Sequence, residues 1–301
     1  MHGSHQNQQV LTGVLLAISA TIIWSGNFII ARGVIHDIPP VALSFYRWLS
    51  ATFILLPFAG KYFIHELHLV KKNIGYFLLA AVTGVSMFNT FVYIAAHFSE
   101  AINMALLGTC SSPIMSVVLA RIFLKEKITA LRVIGILVCV AGILLLLSRG
   151  SMQTLMNFRF SNGDWWILAA AFSFAVYNTT VKKKPKEMHP ANFLFVIFSL
   201  GSLLLLPFYY YEFSRHGGIA VNISNLGAIL YLGLGASVIC FLIWNKAIAA
   251  LGAGRTALFG NLIPVFSSIE AVILLNEKIT GVHIFSFILV VTGLVIANTR
   301  K

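Results

Sequence analysis

The 301-residue sequence predicts an all-α membrane protein, with ten transmembrane helices arranged as two inverted five-helix repeats. Three observations predict this. Hydrophobic residues make up 58% of the chain and charged residues only 10%, against about 25% charged in a soluble globular domain. Charges and turn residues divide the chain into ten apolar stretches, most of them close to the ~20 residues a helix needs to cross hydrocarbon. One passage is also written twice: Pro113 to Glu126-Lys127-Ile128-Thr129 recurs as Pro264 to Glu277-Lys278-Ile279-Thr280, at an offset of 151.

The stretches fall near 11–31, 40–59, 74–96, 102–123, 131–148, 165–181, 190–211, 225–247, 255–275 and 281–298. The first follows a ten-residue tail, 1–10, without Lys or Arg. It is long enough to span and reads as a transmembrane helix, not a cleaved signal segment. The first and sixth stretches share Asn27 and Asn178, 151 apart. The second and seventh open on Pro40 and Pro190 and repeat Pro57 as Pro207, at an offset of 150 that implies one small indel. Gly84 and Tyr93 on the third match Gly235 and Trp244 on the eighth, and Gly142 on the fifth matches Gly293 on the tenth. The fourth and ninth carry Pro113 and Pro264. The copies are therefore 11–148 and 165–298, joined by a linker at 149–164. Five spans per copy is an odd number, so the second copy enters the membrane from the opposite face. Inverted repeats of this kind are characteristic of secondary transporters, whose halves rock about a central site.

Lys and Arg set the orientation. With the N-terminus on one side, that side holds Lys61, Lys71, Lys72, Lys125, Lys127, Arg132, Lys182, Lys183, Lys184, Lys186, Arg300 and Lys301. The other holds Arg32, Arg149, Arg159, Arg215 and Lys278. The positive-inside rule then makes both termini cytoplasmic. The net charge of +12 is a topology signal and not a nucleic-acid footprint, because the basic residues sit in short loops without an appended soluble module. Cys110, Cys139 and Cys240 lie in apolar spans without CxxC spacing and read as buried thiols.

Several motifs carry a resemblance. The first half reads Trp24-Ser25-Gly26-Asn27, Pro39-Pro40, Phe45-Tyr46-Arg47, then Pro113 and Glu126. The second reads Trp244-Asn245-Lys246-Ala247, Gly252-Ala253-Gly254-Arg255, Asn261 to Pro264-Val265-Phe266, and Glu277. This resembles the ten-helix EamA branch of the drug/metabolite transporter superfamily over almost the whole chain, 11–298. The resemblance implies a bacterial inner-membrane carrier of small metabolites, often amino acids or related compounds and frequently an exporter. It does not imply a particular substrate.

Within the spans, Pro113 and Pro264 each remove a helical hydrogen bond and free the carbonyls of Thr109 and Gly260. Such backbone is tolerated where it packs on protein or lines a cavity. Nearby Ser111, Ser112, Asn261 and Ser268 add polar groups. The residues alone leave open whether the prolines line a pathway or only shape packing. Trp24 with Asn27, and Tyr177 with Asn178, pair an aromatic face with an amide that both donates and accepts. That suits substrate binding, although an Asn can equally serve as interhelical glue. Arg47 and Glu270 lie at a similar depth below the outer face, roughly 8–9 Å by the 1.5 Å helical rise. Together with His97 and Glu100 they are expected to form one outward polar cluster, with Arg47 for a substrate carboxylate and Glu270 or His97 for a proton. The alternative is a structural ion pair. On an ideal helix Glu270 faces away from Asn261. The repeated Glu126-Lys127 and Glu277-Lys278 suit ending spans. Lys246 and Arg255 suit snorkelling. Gly108, Gly233, Gly235 and Gly260 suit close helix approach.

Enzyme chemistry finds no support. HExxH, GxSxG and Walker A patterns do not occur in the sequence, and no metal-ligand spacing or cofactor motif does. Gly252-Ala253-Gly254 lies in a turn between spans and imitates a dinucleotide fingerprint without its strand. The expected partners are a small-molecule substrate, the bilayer and protons. Export by alternating access is the leading reading and nutrient uptake the runner-up. A lipid scramblase or membrane-embedded transferase stands as the alternative from another class, with a lipid-handling role making activity indifferent to changes at Asn27 and Tyr177.

Overall fold

The computed structural model describes residues 2–34, 37–99, 101–157, 159–275 and 280–299, and every regular element among them is helical. In order they are α1 (His2–Gly33), α2 (Pro40–Lys72), α3 (Ile74–Ala81), a π-helical turn (Val82–Met87), α4 (Phe88–Phe98), α5 (Ala101–Leu124), α6 (Ala130–Leu147) and α7 (Met152–Met156). Then come α8 (Asn162–Val181), α9 (Pro190–His216), α10 (Ile223–Leu230), a second π-helical turn (Tyr231–Ile239), α11 (Cys240–Leu251), α12 (Ala253–Ala257), a 3₁₀ turn (Leu258–Leu262), α13 (Ile263–Leu275) and α14 (Gly281–Asn298).

Among the described residues, eight stretches are long and apolar enough to cross a membrane. Two of the expected spans are not among them, each for a physical reason. The 165–181 span lies within α8, which carries Ser173, Tyr177, Asn178, Thr179 and Thr180 and buries thirteen of its twenty residues. Wrapped by α3, α4, α5 and the first π turn, it has little need of an apolar surface. The 255–275 span is broken into α12, the 3₁₀ turn and α13, with Pro264 at the second residue of α13. Pro113, by contrast, sits inside an α5 that runs unbroken from Ala101 to Leu124. Two further boundaries differ from expectation. The N-terminal tail continues α1, which starts at His2, and α2 and α9 run on past the apolar run to Lys72 and His216.

Those extensions hold the two halves together. Pro40 and Pro190 occupy the first turns of α2 and α9, where the missing N–H costs nothing. At α2 the remaining free N–H groups are taken by a carboxylate of α9; at α9 the Ala191 N–H donates to His189 Nδ1, and a carboxylate of α2 holds the residues around that helix start. Glu212 near the end of α9 accepts from Val41 N and Ala42 N at 3.2 and 2.7 Å. Glu66 on α2 accepts from His189 N and Asn192 Nδ2 at 3.0 and 2.7 Å. A carboxylate at a helix N-terminus also meets the positive end of the macrodipole. Glu126 does the same for α12, accepting from Ala253 N at 3.0 Å and Gly254 N at 3.3 Å, with Arg132 3.9 Å away. Glu277 and Lys278, the repeat mates of Glu126 and Lys127, lie outside the described residues.

Close packing runs through glycines, though not mainly those expected. A Cβ on Gly135 of α6 would strike the Gly293 carbonyl and the Ala297 amide of α14. Of the four glycines singled out in the sequence, Gly233 is at such close approach, against Ser50, whereas Gly108, Gly235 and Gly260 meet their neighbours at ordinary contact distance. Arg255 donates to the Asn298 carbonyl, so it ties α12 to α14 and does not simply reach for headgroups. Lys246 is exposed.

Candidate functional site

Arg47 sits in the third turn of α2 and is fully buried, at 1% exposure. Removing a cation from water costs several kcal/mol, so its partners matter. Nε donates to Ser237 Oγ at 2.7 Å. Nη1 donates to Asn27 Oδ1 at 2.9 Å, Asn89 Oδ1 at 2.8 Å and Tyr93 Oη at 2.9 Å. Nη2 donates to the Ala236 carbonyl at 3.0 Å. Every one of these acceptors is neutral, and they come from α1, α4 and the second π turn. The guanidinium also lies 4.9 Å from the centre of the Trp48 ring, a cation–π distance.

The π turn explains part of this geometry. A widened turn shifts the backbone hydrogen-bond register, and here Ala236 O receives both Arg47 Nη2 and, at 2.9 Å, Trp24 Nε1. The two π turns occupy matched positions: Val82 and Met87 plus 151 give 233 and 238, inside Tyr231–Ile239.

A second buried node lies in the other half. Trp244 Nε1 donates to Asn178 Oδ1 at 2.9 Å, and Asn178 Nδ2 donates to Ser116 Oγ at 3.2 Å. Tyr177, with no exposed surface, donates to Asn245 Oδ1 at 3.0 Å. The nodes are built on equivalent residues. Asn27 corresponds to Asn178 and Tyr93 to Trp244 at an offset of 151. In the first half Arg47 bridges the amide and the ring; in the second, Ile197 stands at the Arg47 position and the larger indole reaches the amide itself. Aromatic rings join the two nodes, with Trp24 4.8 Å from Trp244 and 5.7 Å from Phe174 between ring centroids.

The structure thus brings Trp24, Asn27 and Arg47 together, and places Tyr177 and Asn178 across an aromatic wall from them. Other expected members lie elsewhere. Glu270 on α13 accepts from Ser25 Oγ at 2.6 Å, and its second oxygen is buried without a partner. Among the described residues no ion pair links it to Arg47. His97 is exposed at the end of α4, and Glu100 lies outside the described residues. Among the described residues, Arg47, Glu270 and His97 therefore do not form the single outward cluster expected from depth alone. The reason is angular: depth along a helix says nothing of the direction a side chain faces. Asn261, on the 3₁₀ turn, is buried near Cys139 of α6, its Oδ1 unpartnered. It has a different neighbour from Glu270, which meets Ser25 of α1. Among the described residues no group of three or more His, Cys, Asp or Glu is placed to hold a metal.

Sequence reasoning did not single out Asn89, Ser237, Ser25 and Ser116 as site residues. Asn89 and Tyr93 are four apart on one helix face, a signal that was available. Ser237 was not reachable, because the π turn alters its helical phase.

Residues 11–148 and 161–299 each match the model of the EamA-like transporter family. The chain is 26% identical to the uncharacterized transporter YyaM of Bacillus subtilis, covering 94% of this chain and 92% of the relative. It is 24% identical to a protein of Escherichia coli named as a probable amino-acid metabolite efflux pump, covering 94% and 93%. A solved crystal structure of a protein superposes with a TM-score of 0.72 at 16% identity, covering 95% of this chain and 96% of the other, a likeness of fold.

Proposed function

The chain belongs to the EamA-like transporter family, and from that premise we propose that it exports amino acids or related small metabolites by alternating access. On this reading the polypeptide crosses a bacterial inner membrane ten times, as two inverted five-helix repeats with both termini cytoplasmic. The two segments outside the eight apolar spans, α8 and the broken α12–α13, are spans whose polar or irregular stretches are shielded by neighbouring helices. The reciprocal carboxylate caps of α2 and α9 and the matched π turns support the inverted repeat.

The observation that carries the reading is the pair of buried polar nodes, Asn27–Arg47–Tyr93 and Asn178–Trp244, at equivalent positions in the two halves and separated by aromatic rings. A pathway that opens alternately to either face needs hydrogen-bonding groups from both halves around one centre. The name of the Escherichia coli relative supports export and amino-acid metabolites. Glu270, with one free buried oxygen, is the proton-coupling candidate.

Flux of labelled amino acids, amines, nucleosides and sugars into proteoliposomes, with and without an imposed proton gradient, tests the reading. Saturable flux of amino acids accelerated by the gradient is expected. Absence of flux for every solute would sink it.

A further inference from the structure

Arg47 is held by acceptors that do not use all of the donors around it. A guanidinium has five N–H groups. Nε uses one on Ser237; Nη1 shares two among Asn27, Asn89 and Tyr93; Nη2 meets a single acceptor, the Ala236 carbonyl. One Nη2 hydrogen is therefore unused, and on Nη1 three acceptors compete for two hydrogens. Beside it, Asn89 turns its oxygen to Arg47 and leaves its Nδ2 buried without a partner. The site thus combines a permanent positive charge, no paired carboxylate among the described residues, and two spare buried donors on adjacent groups. Buried donors of this kind are costly unless something accepts from them. The Ile197 position in the second half holds no such charge, so the feature belongs to one half alone.

Resting on the transporter reading above, we infer that Arg47 and Asn89 form the receptor for the carboxylate of the transported solute. The carboxylate takes the fork of Nη1 and Nη2, as guanidinium and carboxylate planes favour, and its oxygen accepts from Asn89 Nδ2. One of the three neutral acceptors leaves Nη1 without orphaning a hydrogen. The substrate class is therefore organic acids, amino acids included. Compounds whose carboxyl group is blocked or missing bind more weakly, since they leave the spare Nη2 hydrogen and the Asn89 donor unused. The rings of Trp24 and Trp48 bound the site and favour an apolar or aromatic remainder.

The full-length protein in detergent is titrated with L-leucine, L-phenylalanine and L-threonine, each beside its amide and its decarboxylated amine. Tryptophan fluorescence serves as readout, since Trp24 and Trp48 adjoin the site. At least one acid is expected to bind roughly tenfold or more tightly than its amide and amine, the range of a hydrogen-bonded charge. Equal binding within each set, or no acid binding at all, overturns the inference.

Asn89→Asp supplies the second test. It supplies Arg47 with a counter-charge, so the variant is expected to melt no lower than the wild type. It is also expected to lose acid binding by roughly tenfold to hundredfold. Retained acid binding in a folded Asn89→Asp protein overturns the inference as well. Liposome flux separates the two ideas. Flux of amines or sugars without any acid sinks the carboxylate receptor and leaves the transporter standing. Acid binding without flux of any solute counts against the transporter and leaves the receptor standing.

Discussion

Arg47 and Glu270, a basic and an acidic residue, flank the same helix, yet α1 keeps them apart. Arg47 reaches Asn27, while Glu270 takes its hydrogen bond from Ser25, two residues earlier and about 200° around the helix. Each is held by neutral groups, which on the proposed reading leaves Arg47 for a solute and Glu270 for a proton.

Glu270→Gln keeps the shape and an acceptor for Ser25 but cannot ionise. Transport by this variant is expected to persist while losing its dependence on pH, measured as initial flux from about pH 5 to 8. Identical pH profiles in variant and wild type would remove Glu270 from the coupling.

Arg47→Lys preserves the charge and reduces five donors to three on a single atom. A lysine cannot reach acceptors on α1, α4 and the π turn together. The variant is expected to lose about 2–3 kcal/mol of stability and at least roughly tenfold in transport. Both are checked by thermal melting in detergent and by flux.

Trp244→Phe deletes the indole donor and leaves Asn178 Oδ1 buried without a partner. The expected cost is about 1–3 kcal/mol, read as a lowered melting midpoint. Asn27 in the other half has Arg47 as its donor and should be unaffected.

Gly135→Ala places a methyl group against the Gly293 carbonyl and the Ala297 amide. Separating α6 from α14 is expected to cost about 1–3 kcal/mol. A melting curve indistinguishable from wild type would mean that this helix pair packs more loosely than described.

Much of this arrangement could be read from sequence because duplication leaves residue identities behind. Asn27 with Asn178, Tyr93 with Trp244, and Pro40 with Pro190 all locate equivalent places without any knowledge of the fold. Apolar stretches located the spans for the same local reason, 165–181 within α8 included. That segment falls short of the others in hydropathy because a helix enclosed by protein can be polar. Side-chain direction was the harder quantity. A π turn inserts backbone that an ideal 3.6-residue period does not count, so the approach of Ser237 and the Ala236 carbonyl to Arg47 could not be phased. The depth of Glu270 matched that of Arg47, but the intervening α1 was invisible until the helices were packed.

The reciprocal caps of α2 and α9 also impose an order on biogenesis. Val41 waits for Glu212, 171 residues further along the chain, and Arg47 waits for Ser237, 190 residues further. At ~5–20 residues per second, the ribosome leaves the first half in the bilayer for roughly ten seconds or more with a helix end open and a buried arginine partly served. Asn27, Asn89 and Tyr93, all made within the first 93 residues, are what that arginine can use meanwhile. The nascent first half carries its own temporary shelter, and its final state is set by the arrival of the second.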